Sequence, residues 1–288
     1  EDFSKLPPLV QDYLIYIEAI KGHSQLSVTE YANDLKIFFN FISRLKKLSV
    51  PDDNGNYDLS LIDIDIIRSI TLNDAYQFLI YCRNERKNNE ATRSRRVIAI
   101  RRFFAYLTDN LHLLEVNPMK NLDAPKIKKS LPKYLTLEEA QKLLSVIDGK
   151  YKERDYAIIT LFLNCGMRLS ELVNINIKDI QFDECKMTVI GKGNKERTIY
   201  LNKACIKAIN EYLETRPKDR IRFDSKDALF LSERRERISN RTVQHIVEKE
   251  LKQAGLDTSK YSTHKLRHTA ATLMYQYGNV DIRALQEL

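Results

Sequence analysis

A proline- and lysine-rich segment near the middle of the chain divides the sequence into two parts. It starts near Asn117-Pro118 and continues as APKIKKSLPK over residues 124–133, with no hydrophobic period. Prolines on either side of a basic run interrupt regular structure and are typical of a linker between domains. The sequence therefore predicts a first domain over 1–125, a basic linker over 126–135 and a second domain over 136–288.

The first domain has the hydrophobic period of α-helices. Apolar residues three or four positions apart predict helices over 11–20, 27–42, 71–82 and 92–107. Ser27 is the expected N-cap of the second helix, because Glu30 follows it three residues later as in a capping box. The turn-forming residues VPDDNGN at 50–56 predict a loop after that helix.

The second domain is predicted to be mostly helical with one small β-element. A capping box at Thr136 opens its first helix. Two β-rich runs, 185–191 and 197–201, flank the residues KGNK and predict a hairpin. Further helices are expected over 203–214, 240–254 and 265–277, the last of them ending at Gly278. The predicted fold class is mainly α with a small β-hairpin or sheet.

Composition excludes several classes of protein. Hydrophobic residues make up 43% and charged residues 30% of the chain, as in an ordinary soluble globular protein. No apolar run reaches the roughly 20 residues that a bilayer requires, and no signal peptide opens the chain, so we expect a cytoplasmic protein without a membrane partner. No metal motif or glycine-rich phosphate loop is present, so no cofactor is predicted. The scattered cysteines are expected to be buried and reduced: Cys82, Cys165, Cys185 and Cys205.

The basic charge of the chain is concentrated in one stretch. The net charge is +8, and residues 93–133 contain ten basic and three acidic side chains, a net of +7. A helix with arginines on one face fits the major groove of DNA, and a basic linker can follow the phosphates. A solvated helix face followed by a soluble linker is the alternative. The residues expected to contact DNA are Arg93, Arg95, Arg96, Arg101, Lys126, Lys128 and Lys129, with Arg241 in a later helix as a further candidate.

Three short clusters carry side chains suited to phosphate chemistry. In GMRLSEL at 166–172, a glycine ends one helix and Arg168 begins the next, which adds a guanidinium to free backbone N–H groups. Lys192 lies at the predicted hairpin tip, and THKLRH at 263–268 places His264 and Arg267 on one helical face. Two arginines, a lysine and a histidine without a carboxylate pair or a metal cluster indicate phosphate transfer driven by electrostatics.

Together these clusters resemble those of the tyrosine recombinases, the lambda-integrase family, and most closely its Xer-like and mobile-element integrases. GMRLSEL is similar to the first-arginine motif, which implies that Arg168 is catalytic and Glu171 supports it. GKGNKER resembles the β-turn lysine motif and implies Lys192, and THKLRH resembles the HxxR box and implies His264 and Arg267. SVTEYANDLKIFFNFI and TRSRRVIAIRRFFAYL resemble helices of the family's core-binding domain. The resemblance implies a two-domain clamp, with a helical core-binding domain joined to a mixed, mostly helical catalytic domain.

The resemblance also implies a reaction. A tyrosine would attack a DNA phosphodiester to form a 3′-phosphotyrosyl link, and four protomers would exchange strands between two duplexes with inverted-repeat sites through a Holliday junction. Neither ATP nor metal would be needed. The family pattern continues beyond Leu288 with a Gly-His pair and then the nucleophile, and Tyr275 and Tyr277 come too early to replace it. We therefore expect a catalytic domain truncated before its nucleophile, which binds DNA without cleaving it.

Other interpretations of these residues stay open at the level of sequence. Arg168 could simply pair with Glu171, Lys192 could be an ordinary turn lysine, and His264 could be a core histidine. His268 is expected to have a structural role. For the whole chain, the alternatives are a non-catalytic DNA-binding relative and a type IB topoisomerase-like enzyme. The biological role could be mobile-element integration or excision, or chromosome-dimer resolution.

Overall fold

The computed structural model describes residues 3–53, 55–126, 133–191 and 195–277. The chain forms two compact units, residues 1–130 and 131–288, which we call unit 1 and unit 2. Each unit has its own hydrophobic core. In the described ranges, no helix is long and apolar enough to cross a membrane.

Unit 1 is helical and has an aromatic core. Its helices are α1 Pro8–Ala19, α2 Gln25–Lys46, α3 Ile64–Arg68, α4 Leu72–Asn84 and α5 Glu90–Ala105, followed by a π-helical turn at Tyr106–Asn110. The fully buried rings meet mostly edge to face, an arrangement that favours aromatic pairs: Phe38, Phe39, Phe78, Phe103 and Phe104.

The helix starts in unit 1 follow side-chain capping, with one correction to the prediction. Thr71 caps α4 and forms a capping box with Asp74. The predicted N-cap of α2 at Ser27 is wrong, because Ser24 accepts a hydrogen bond from the Ser27 N–H and α2 begins at Gln25. The short helix α3, which lies in the stretch after the predicted loop, was not predicted.

Unit 2 combines helices with a small antiparallel sheet. Its helices are α6 Leu137–Ser145, α7 Lys152–Cys165, α8 Leu169–Asn174, α9 Lys203–Thr215, α10 Asn240–Gln253 and α11 Thr263–Tyr277. The strands β1 Ile180–Gln181, β2 Lys186–Ile190 and β3 Glu196–Tyr200 pair in the order β1-β2-β3. The hairpin and the capping box of Thr136 with Glu139 are confirmed, whereas β1 was not predicted.

Helix α7 is the centre of unit 2. It is buried along most of its length, and α9 and α11 pack against it. Three of the cysteines are buried as predicted, and Cys165 at the end of α7 lies with its sulfur 3.7 Å from that of Cys205. Cys185 is a correction, because it is exposed at a turn with φ of 48° ahead of β2. The predicted helix end at Gly278 lies outside the described residues.

Candidate active site

Arg168 stands at a sharp break between two helices. Helix α7 ends at Cys165 because Gly166 adopts the left-handed backbone conformation, with φ of 56°, that glycine allows without steric cost. Met167 is buried in the core, and Arg168 then occupies the N-cap position of α8. Its side chain is 44% exposed. The motif thus buries the residue before the arginine and holds the arginine itself at the surface.

Glu171 is the buried centre of the site. Its side chain is 0% exposed, and its two oxygens accept hydrogen bonds from the Arg168 backbone N–H at 2.8 Å and the Arg168 Nη1 at 2.7 Å. Arg197 of β3 donates through Nη2 at 2.9 Å and through Nε at 3.4 Å. These four donors match the roughly four lone-pair sites of a carboxylate.

The hydrogen bonds decide the charge of Glu171. Burial alone would raise the pKa of this carboxyl, but the hydrogen bonds from Arg197 and Arg168 outweigh burial and hold the pKa below its usual value. Glu171 is therefore an anion at neutral pH and can orient several guanidinium groups at once.

Arg267 approaches the same carboxylate from α11. Its Nη1 donates to the carbonyl oxygen of Gly166 at 2.5 Å and lies 3.9 Å from the Glu171 Oε2. Burial and the nearby Arg168 lower the pKa of Arg267 to about 10, while Glu171 opposes this shift. Arg267 therefore stays charged at neutral pH. The structure brings Arg168 and Arg267 to one point, as the sequence motifs predicted.

The two histidines of the HxxR cluster contact each other. His264 and His268 lie one turn apart on α11, and their Nε2 atoms are 3.1 Å apart. Burial, followed by the neighbouring His264, lowers the pKa of His268. His264 is exposed, so the alternative of a core histidine does not describe it. His268 is half-buried, and its ring contacts the ring of His264 directly.

The hairpin stem runs close beside this group. A Cβ placed on Gly191 would lie 3.4 Å from the Glu171 Oε1 and 3.8 Å from the Arg168 Nη1. The residue that follows, Lys192, lies outside the described residues, so its predicted role stays a prediction. Tyr275 and Tyr277 are exposed on α11.

Arg197 is the site residue that sequence reasoning missed. It is the arginine of GKGNKER, a motif in which the family resemblance implies a role for the lysine, Lys192, alone. A signal was available in the strand alternation: Arg197 and Ile199 share one face of β3, whereas Glu196 and Thr198 are exposed on the other.

The predicted DNA contacts of α5 differ from one another in exposure. Arg101 is exposed, and we find no ion pair or hydrogen bond of its side chain within the described ranges. Arg95 is 44% exposed and pairs with Glu30 and Asp34. Arg93 is 14% exposed and pairs with Glu90 at 3.3 Å.

Arg96 requires a correction. Its side chain is 5% exposed and donates to Asn88 at 2.6 Å and to the Cys82 sulfur at 3.0 Å, beside Asp34 at 3.4 Å. A buried guanidinium with these partners cannot reach a phosphate, so we remove Arg96 from the predicted DNA-binding set. Lys126 and Arg241 are exposed, whereas Lys128 and Lys129 lie outside the described residues.

Comparison with known proteins bears directly on this site. The family described as the phage integrase family matches residues 133–288, which contain every residue of the arginine cluster. The chain is 54% identical over 286 residues to the tyrosine recombinase XerC of Caldanaerobacter subterraneus subsp. tengcongensis, which covers 99% of this chain and 80% of that protein.

Solved structures share the fold. The XerH site-specific recombinase bound to palindromic difH, in a post-cleavage complex, has a TM-score of 0.71 and 24% identity, covering 93% of this chain and 73% of that one. The Tn1549 transposon integrase in complex with transposon right end DNA has a TM-score of 0.74 and 19% identity, covering 96% and 89%. The resemblance read from the motifs is confirmed: the chain belongs to the tyrosine recombinases, enzymes of site-specific DNA recombination.

Proposed function

We propose that the chain supplies the transition-state groups for cleavage and exchange of strands of duplex DNA at an inverted-repeat site through a 3′-phosphotyrosyl intermediate. The nucleophilic tyrosine is expected beyond Leu288, in what we call the complete protein. The observation that carries this proposal is the convergence of Arg168 and Arg267 on the buried carboxylate of Glu171. The Arg168 guanidinium donates to Glu171 through Nη1, which leaves its other N–H groups for a ligand, and the Arg168 side chain is 44% exposed. Donors held rigidly at the surface can bind the non-bridging oxygens of a phosphate without reorganising during the reaction.

In this mechanism, the two arginines stabilise the five-coordinate phosphorus as the tyrosine oxygen attacks. The bond from phosphorus to the 5′-oxygen breaks, and Lys192 protonates that leaving oxygen. His264 serves as an acid/base or positioning group near the nucleophile. The phosphotyrosyl bond keeps the energy of the phosphodiester, so a 5′-hydroxyl of the partner strand can reverse the reaction and join the exchanged strands.

We further propose that four protomers act on two duplexes through a Holliday junction, each one closing its two units on DNA as a clamp. Unit 1 would contribute Arg93, Arg95 and Arg101, the linker Lys126, Lys128 and Lys129, and unit 2 Arg241. Of the two biological roles, we favour chromosome-dimer resolution in the cytoplasm over mobile-element transfer, because the relative at 54% identity is a XerC recombinase.

The test is cleavage of a nicked suicide duplex by the complete protein. Arg168→Ala and Arg267→Ala should each lower the cleavage rate about 10²–10³-fold, the effect of losing a transition-state donor, while DNA affinity changes little. Arg222→Ala is the matched control, since Arg222 is an exposed arginine of unit 2 whose partners are Asp224 and Glu236. Wild-type cleavage by both arginine variants would contradict the proposal.

Lys192 has a test of its own. A substrate whose leaving 5′-oxygen is replaced by sulfur departs without a proton, so it should restore cleavage to Lys192→Ala but not to Arg168→Ala. If the sulfur substrate leaves Lys192→Ala inactive, Lys192 is not the general acid.

A further inference from the structure

Arg197 is tied to the arginine cluster, yet the proposed mechanism gives it no task. It lies on β3, on the strand face that it shares with the buried Ile199, so its side chain points toward α8. There, its Nη2 and Nε both donate to Glu171. It is 21% exposed, about half the exposed fraction of Arg168.

Glu171 depends on Arg197 for its charge. A buried carboxylate is costly unless it is paired and hydrogen-bonded. Arg168 supplies two hydrogen bonds to Glu171, whereas the closest Arg267 nitrogen, at 3.9 Å, is beyond hydrogen-bond distance. Arg197 supplies the other two. Among the side-chain partners, its hydrogen bond makes the largest contribution to lowering the pKa of Glu171.

Arg197 also fixes the hairpin stem against α8. It pairs with Val189 across β2 and β3, and the next pair, Ile190 with Glu196, leads to Gly191. The Gly191 N–H donates to the Lys195 carbonyl at 2.8 Å, and the backbone there passes over the Glu171 carboxylate. One ion pair thus joins the stem to the helix that carries Arg168.

We propose that Arg197 is a positioning residue for recombination, which acts through Glu171 to hold Arg168 and Arg267 in place and to anchor the hairpin stem beside them. The inference rests on the proposed function, since it assigns Arg197 a task in the same reaction. Arg197 touches no reacting atom in this scheme. Its guanidinium donates hydrogen bonds to Glu171, whereas Arg168 and Arg267 would bind the phosphate.

The experiment compares Arg197→Met and Arg197→Lys with Arg222→Met in the complete protein. Arg222→Met is the matched control because it removes the same charge from an exposed ion pair of the same unit. When the protein is present at a concentration that saturates the suicide duplex, R197M should cleave about 100-fold more slowly than the wild type. This is the effect expected when a transition-state group shifts by about 1 Å. The DNA affinity of R197M should equal that of R222M. R197K should recover part of the rate, because lysine keeps the charge but not the two-point contact.

The pH profile separates positioning from simple structural support. Without Arg197, the pKa of Glu171 rises, so its carboxylate becomes protonated at a higher pH and releases Arg168. The cleavage rate of R197M should therefore fall in mild acid where the wild-type rate does not. This fall of the rate in mild acid should be absent from the double variant R197M/E171Q, because the glutamine side chain at position 171 cannot titrate.

The outcomes are distinct. Wild-type cleavage and an unchanged pH profile in R197M would overturn the inference, and so would a joint loss of cleavage and DNA affinity, which would make Arg197 a DNA contact. If R168A and R267A also cleave normally, it is the proposed function that fails. Circular dichroism reports whether R197M folds, and if it does not, the pH profile of R197K decides in its place.

Discussion

Two buried carboxylates, one in each unit of this recombinase, are each contacted by two arginines, and the two clusters differ in what they expose. In unit 1, Asp34 of α2 lies 3.0 Å from Arg95 and 3.4 Å from Arg96. In unit 2, Glu171 accepts four hydrogen bonds from Arg168 and Arg197. Arg96 is 5% exposed and Arg168 is 44% exposed. The first cluster therefore supports the helical core, while the second holds an arginine at the surface, where we propose that it binds a phosphate.

The two carboxylates also shift in opposite directions. Burial outweighs the two arginines at Asp34 and raises its pKa to about 6. At Glu171 the hydrogen bonds outweigh burial, and the pKa falls below its usual value. A carboxyl group beside two arginines therefore has a raised pKa in one unit and a lowered pKa in the other. The number of hydrogen-bond donors to the carboxylate decides whether burial or hydrogen bonding has the larger effect on the pKa.

The largest expected effect is on stability. Arg96→Met leaves Asp34 in the core with Arg95 alone and removes the partners of Asn88 and Cys82, so the free energy of unfolding should fall by about 3–5 kcal/mol. Arg168→Met removes one hydrogen bond to the buried carboxylate and should cost less, about 1.5–3 kcal/mol, because Glu171 keeps the backbone N–H of residue 168 and both donors of Arg197. Urea unfolding followed by circular dichroism measures both, and the reverse ranking would show that Arg96 is not a structural residue.

The pH dependence of the two units should have opposite signs. The folded-state pKa of Asp34, about 6, lies above the usual value of 3.8, so unit 1 should lose roughly 2 kcal/mol of stability as the pH rises from 4 to 7. Glu171 stabilises unit 2 above its unfolded-state pKa, and this contribution disappears as the pH falls through its lowered folded-state pKa. Hydrogen-exchange protection factors, read for α2 and α8 separately, measure both trends. Asp34→Asn should abolish the trend in unit 1 only.

Removing each charge without changing its shape should separate stability from catalysis. Glu171→Gln should lower cleavage about 100-fold in the complete protein, because the arginines lose the anion that orients them. Asp34→Asn should leave the cleavage rate at saturating protein unchanged, since the ion-pair partners of Asp34 in the described residues, Arg95 and Arg96, belong to unit 1. Equal losses from the two variants in single-turnover cleavage would show that the clusters do not have separate tasks.

The smallest expected effect concerns DNA contact by α5. Arg101 is exposed without an ion-pair partner in the described part of the chain, so Arg101→Ala should weaken binding to cognate and scrambled duplexes alike and reduce the slope of log K against log[salt] by about 0.9. Arg95→Ala should reduce that slope less, because Arg95 is already neutralised by Glu30 and Asp34. Fluorescence anisotropy over a salt series measures both slopes.

Helix α5 shows one limit of prediction from the sequence, the burial of Arg96. The prediction treats four arginines of this helix as one DNA-facing set, namely Arg93, Arg95, Arg96 and Arg101. The helical period, however, places Arg96 on the same stripe as Ile100 and Phe103, which are buried. The spacing of four residues from Arg96 to Ile100 carried that information. What the spacing could not give is the partner, because Asp34 is on α2 and meets Arg96 only when the helices pack.

The motifs were enough to indicate the family, and the resemblance then pointed to Arg168 and Arg267 as the expected catalytic arginines. The order and spacing of such motifs are local properties of the chain. The sequence also determined most of the helices and the hairpin, which follow from hydrophobic period and turn residues. The folded chain was needed to show which arginines are buried, which are exposed, and that Arg197 shares Glu171 with Arg168. These contacts join residues from different elements, and the donors that reach a buried carboxylate are set by packing.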